Sequence, residues 1–171
     1  MKVLKLPLLF VLLIMGVGAG AQKRVWGKLI IPVSDAWSIK QKNGVVELSN
    51  YSLHNAEPFT ISLFENKPYT GKADSLFALA WRTFVNPSPA SEAIPRWRRF
   101  YTEEGILIQQ GFIETNGEGV TSFRQLNVFL LNDSYQACLL ETSTGKNYKL
   151  MQTEWMERLQ GIVKVPGVKS K

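Results

Sequence analysis

Histidine and cysteine are almost absent from this chain: His54 and Cys138 each stand alone among 171 residues. A single thiol excludes an internal disulfide. One His and one Cys fall short of the three or four protein ligands that zinc takes. A Ser-His-Asp or Cys-His arrangement would have to use His54, which lies in the polar connection Ser52-Leu53-His54-Asn55-Ala56 with no partner group in view. Asp35, Asp74 and Asp133 are too far apart in sequence for a calcium loop. No P-loop or dinucleotide-type glycine run follows residue 21. Gly117 and Gly119 flank Glu118 between strand-like segments, and a phosphate cradle needs a helix to start there. No cofactor and no metal are therefore expected. The acid pairs Glu103-Glu104 and Glu114 with Glu118 read as solvated charge at strand ends.

Long apolar runs are also scarce. The one that stands out is Leu8 to Met15, preceded by Lys2 and Lys5 and followed by the small residues Gly16 to Ala21. This is the layout of a signal peptide, with Ala19-Gly20-Ala21 as the cleavage site and Gln22 as the new first residue. Between Lys5 and Gln22 lie 16 uncharged residues, fewer than the ~20 of a spanning helix. No Cys stands at the cleavage point to carry a lipid. The expectation is an exported protein, periplasmic or secreted, whose mature chain has no transmembrane helix. The 171 residues less those 21 leave 150, enough for one domain, taken as 22–163. The net charge of +6 falls to +4 without Lys2 and Lys5. Lys164, Lys169 and Lys171 form a basic tail, 164–171, with no acid after Glu157.

What is present is an ordinary folding composition, 45% hydrophobic, 20% charged and 11% aromatic; these values exclude a disordered chain or a collagen-like repeat. Gln22 to Val33 reads as a first strand ending at Pro32. Asn43-Gly44 sits between Trp37–Gln41 and Val45–Ser49, a strong hairpin signal. Phe59, Ile61 and Leu63 alternate with Thr60 and Ser62, a half-buried strand. Spacing then switches: Phe77, Ala80, Trp81 and Phe84 make a helical stripe over 73–84. Residues 86–95 carry three prolines and read as a surface loop. Segments 96–101, 106–114, 120–131 and 135–142 read as an antiparallel meander, in which Cys138 is a small buried hydrophobe beside Ala137, Leu139 and Leu140. Gly145 closes the meander. Met151, Trp155 and Leu159 mark a last helix, 148–160, ended by Gly161. Strands, helix, strands, helix is not the βαβ alternation of a parallel sheet. The fold class expected is α+β: an antiparallel sheet of six or seven strands flanked by two amphipathic helices.

One constellation stands out for binding: Arg96, Trp97, Arg98, Arg99, Phe100 and Tyr101 in succession. Guanidinium forks take carboxylate or phosphate, and aromatic faces stack on sugars or bases. The alternative is a strand with one side buried and arginine stems covering the other, its charge partly neutralised by Glu103 and Glu104. The export signal argues against nucleic acid. Asn50-Tyr51-Ser52 and Asn132-Asp133-Ser134 match the glycosylation sequon, a short pattern.

Ile30-Ile31-Pro32, Trp37-Ser38-Ile39, the Leu76 to Trp81 helix, the glycine-turned meander and a closing helix with Tyr148 and Trp155 give a layout that resembles the PsbP-like α/β/α sandwich proteins, over residues 28–163. The resemblance implies a mostly non-catalytic protein that binds and supports a larger complex; it carries no site residue. The reading is thus a non-catalytic exported binding or accessory domain of the bacterial cell envelope. Arg96, Trp97, Arg98, Arg99 and Tyr101 would form its surface. An envelope protein or an anionic or carbohydrate ligand would be its partner. The alternatives are a cofactor-free hydrolase using His54 or the Glu103/Glu104 region, and a structural subunit of an envelope assembly.

Overall fold

A computed structural model describes residues 22–33, 37–50, 59–85, 96–117, 120–143 and 145–166. The expected signal peptide with Ala21, His54, the 86–95 loop, the Glu118-Gly119 turn and the end of the basic tail lie outside these residues.

The opening segment is two strands rather than one. β1 (Gln22–Trp26) and β2 (Leu29–Val33) form a hairpin with Trp26 opposite Leu29. Gly27 takes φ 58°, which suits the first-position glycine of a type II′ turn. Pro32 therefore lies inside β2 instead of ending the first strand. β11 (Val163–Lys164) pairs with β2 only at Ile30 and Leu29, so Pro32 is beyond its reach and no ladder bond is lost there. These three strands make a small sheet, and Lys164, expected as the start of a tail, is its last residue.

The large sheet begins with β3 (Ser38–Lys42) and β4 (Val45–Asn50), joined at Asn43 and Gly44, both at positive φ. β5 (Phe59–Leu63) buries Phe59, Ile61 and Leu63 as their alternation predicts. The two-residue β6 (Lys67–Pro68) precedes α1 (Ala73–Phe84). β7 (Arg96–Tyr101), β8 (Leu107–Gly117), β9 (Val120–Leu131) and β10 (Ser134–Thr142) follow as the meander. The order is β3-β4-β5-β10-β9-β8-β7, antiparallel throughout, with β6 also on β10. The chain folds as the α+β class its pattern indicated, with the small sheet as an addition.

The last helix, α2 (Gly145–Gln160), starts a turn earlier than its apolar stripe. Gly145, read as the end of the meander, is its first residue. Each helix covers one face of the large sheet. α1 packs Leu76, Phe77, Ala80 and Trp81 on Leu126, Val128, Ala137 and Leu139. α2 sets Trp155 and Leu159 on the other face, over Ile61, Ile108, Phe129 and Leu140, and β2 adds Leu29 and Ile31 there. β10 is thus covered on both sides, so its middle, Ala137 to Leu140, is unbroken apolar sequence rather than an alternation. Gln136 ties the small sheet on: its amide donates to the Trp26 carbonyl at 2.9 Å and accepts from the Lys28 N–H at 2.9 Å.

Candidate functional site

β3 and β7 are the two edges of the large sheet. On β3 every side chain is exposed and Lys40 and Lys42 keep the edge charged, a common guard against strand addition. β7 differs. Among the described residues it pairs with β8 alone, and it carries Trp97 at 48% and Tyr101 at 63% exposure.

The strand's alternation divides the constellation between two faces. Trp97, Arg99 and Tyr101 lie on the α1 side, while Arg98 and Phe100 lie on the α2 side. The alternative of one buried face with arginine stems on the other does not describe it: each face holds an arginine and an aromatic ring. Of Arg96 the backbone opens the strand opposite Phe112.

On the α1 side the contacts form a chain. Gly111, opposite Trp97, leaves room for Phe77, whose ring tip would meet a Cβ there at 2.4 Å. Phe77 stacks on Trp97 at 5.9 Å and 23°. The Arg99 guanidinium lies 4.9 Å from the Trp97 ring and pairs with Asp74 in the first turn of α1. The neutralising carboxylate is therefore Asp74, not Glu103 or Glu104. Those two sit exposed in the β7–β8 turn, which closes through Thr102 and through Gly105 at φ 72°. Beside Arg99, and directly opposite it on β8, is Gln109. It is fully buried, and neither amide atom has a hydrogen-bond partner among the described residues.

On the α2 side a polar row crosses four strands. Arg98 Nε donates to Gln110 Oε1 at 2.7 Å, Gln110 Nε2 to Asn127 Oδ1 at 2.6 Å, and Asn127 Nδ2 to Cys138 Sγ at 3.5 Å. Met156 of α2 caps the outer end, accepting from Arg98 and Gln110. Cys138 is fully buried, as its neighbours indicate, and burial pushes its thiol well up from the ordinary value. Such a thiol is a core group and a poor nucleophile.

No family model matches the chain, and no curated protein matches it. Solved structures resemble it in fold. LpqN, involved in cell envelope biogenesis of Mycobacterium tuberculosis, has a TM-score of 0.52 and 12% identity over 87% of each chain. A crystal structure from Bacteroides thetaiotaomicron VPI-5482 has a TM-score of 0.58 and 12% identity, covering 88% of this chain and 51% of that one. The chain spans about half the length of the latter. The likeness is one of fold.

LpqN and this chain therefore share an architecture, and the residues that matter here rest on this chain alone. The sequence pattern marks the β7 constellation but not the parts that Asp74, Phe77, Gln109 and Gly111 play beside it. One signal was visible. Gln109-Gln110 interrupts an apolar strand, and adjacent strand residues face opposite ways, so one amide must enter each core. Among the described residues no three His, Cys, Asp or Glu gather as a metal would require, and no helix is long and apolar enough to cross a membrane.

Proposed function

We propose that the chain is a non-catalytic exported accessory domain of the bacterial cell envelope that docks a partner protein along β7. The β7 edge carries this reading. It presents two exposed aromatics and exposed arginines where the opposite edge presents lysines, and aromatics with arginine mark the energetic centres of protein interfaces. An extended segment adding to such an edge gains main-chain hydrogen bonds, with side chains setting specificity. The fold likeness to LpqN and the signal-like first 21 residues support an envelope address. The PsbP-like layout supports an accessory role. A carbohydrate ligand is less well supported, since Phe77 and Arg99 already engage the ring of Trp97 that a sugar would stack on.

Crosslinking in the host envelope tests the reading. A photoreactive residue at Tyr101 should capture one discrete partner, and joint replacement of Arg96, Arg98 and Arg99 by Ser should remove that product while the protein stays folded. A product that survives the triple change rules out β7 as the dock. Intact mass of the exported protein should correspond to a chain beginning at Gln22.

A further inference from the structure

We infer that the first turn of α1, Arg99 and Gln109 form a receptor for a carboxylate of the docked partner, which Asp74 occupies in the free protein; this rests on the β7 docking reading. Three features converge. First, α1 has no side-chain cap. Lys72 holds the N-cap position in an extended conformation, its carbonyl accepting from the Leu76 N–H, but its side chain makes no cap hydrogen bond, and an uncapped first turn favours an anion. The Tyr69 hydroxyl, donating to the Lys72 carbonyl at 2.8 Å, fixes the approach to that turn. Second, Arg99 stands over Trp97 with a fork suited to a carboxylate and is joined to the turn by Asp74. Third, Gln109 lies opposite Arg99 on the same sheet face, fully buried, with both amide atoms unpartnered.

A buried amide with neither end satisfied needs an explanation, because such groups are rare in native interiors. A donor-acceptor pair at the floor of a cationic edge supplies one. A side chain delivered along β7 that carries a carboxylate would replace Asp74 on Arg99; the first turn of α1, no longer tied to Arg99, would then uncover Gln109 to the neighbouring polar atoms of the segment. Asp74, largely exposed, can swing into solvent. The class of partner that follows is an acidic polypeptide segment.

Fluorescence anisotropy with a fluorescein-labelled hexaglutamate peptide tests this on the purified protein at low salt. Asp74→Asn removes the occupant and should tighten peptide binding about two- to fivefold, the range an exposed ion pair spans. Adding Gln109→Met should return affinity to the wild-type value or below. It should also raise the melting temperature by about 2–4 °C, since an unpartnered amide leaves the core. The inference is overturned if Asp74→Asn leaves peptide affinity unchanged. It is also overturned if Gln109→Met lowers the melting temperature and leaves affinity at the Asp74→Asn level, since the amide is then structural. Inorganic phosphate displacing the peptide where equal acetate does not would overturn the carboxylate assignment. Docking along β7 fails separately, on survival of the envelope crosslink in the triple arginine variant, and can stand when the peptide results do not.

Discussion

Gly111 shows how a single residue sets the outer face. Its backbone needs no positive φ; what it supplies is space, because a Cβ would meet the Phe77 ring at 2.4 Å and Trp81 at 3.0 Å. Gly111→Ala should therefore destabilise by about 1–3 kcal/mol, the cost of overpacking, and should shift Trp97 emission as its stack on Phe77 is pushed aside. Urea denaturation followed by fluorescence reads both. Asp133 illustrates a charge at the same scale. The hydrogen bond from Lys28 Nζ at 2.7 Å, helped by Ser134, holds its carboxyl below the ordinary 3.8. A depressed carboxylate stabilises above its unfolded pKa and loses that contribution as pH falls through its folded value. The stability difference between wild type and Asp133→Asn should thus be flat from neutral pH down to about 4 and vanish below it. Residue-level chemistry was the least legible part of the sequence. Nothing near Asp74 in the chain points to Arg99, because their pairing exists only once α1 lies across β7.

At the scale of elements, the outcome depended on how local the signal was. Asn43-Gly44 specifies its hairpin by backbone conformation alone, and both residues take positive φ, at 51° and 76°. Gly44→Ala should cost about 1–2 kcal/mol, the left-handed penalty for a side chain, seen as a lower urea midpoint. Helix α1 was legible to the residue because its stripe is apolar and bounded by turn and proline signals. The β1–β2 hairpin was not. Gly27-Lys28 between Trp26 and Leu29 lacks an Asn-Gly signature, and what holds it is distant, through Gln136. β11 likewise exists only because β2 is there to receive it. The uncapped start of α1 gives a further expectation. Lys72→Ser places a hydroxyl at a position already extended in backbone and should stabilise by about 0.5–2 kcal/mol. If the first-turn N–H groups receive a partner carboxylate, the same change should weaken hexaglutamate binding, so stability and affinity should move in opposite directions.

The whole molecule has one sheet serving two cores. Leu126, Val128, Ala137 and Leu139 face α1, while Phe129, Cys138 and Leu140, from the same strands, face α2. This architecture was readable, since strand runs interrupted by two amphipathic helices admit few other layerings. Which edge would be guarded and which left with aromatics was half readable, because the Arg96 to Tyr101 composition is local but its edge position comes from the pairing order. Sharing strands should couple the two cores. Leu76 of α1 and Leu159 of α2 are both fully buried, on opposite sides of the sheet. Either one changed to Ala should cost about 2–5 kcal/mol. Each variant should still unfold in a single transition, because losing either helix uncovers strands that the other core needs. Tryptophans report both sides, Trp81 and Trp97 toward α1, Trp26, Trp37 and Trp155 toward α2. Their emission and the far-ultraviolet circular dichroism should therefore trace coincident curves in both variants. An early fluorescence step in Leu76→Ala with sheet signal retained would mean that α1 is a detachable cover. The β7 dock would then be expected to work by releasing that helix rather than by exchanging one carboxylate for another.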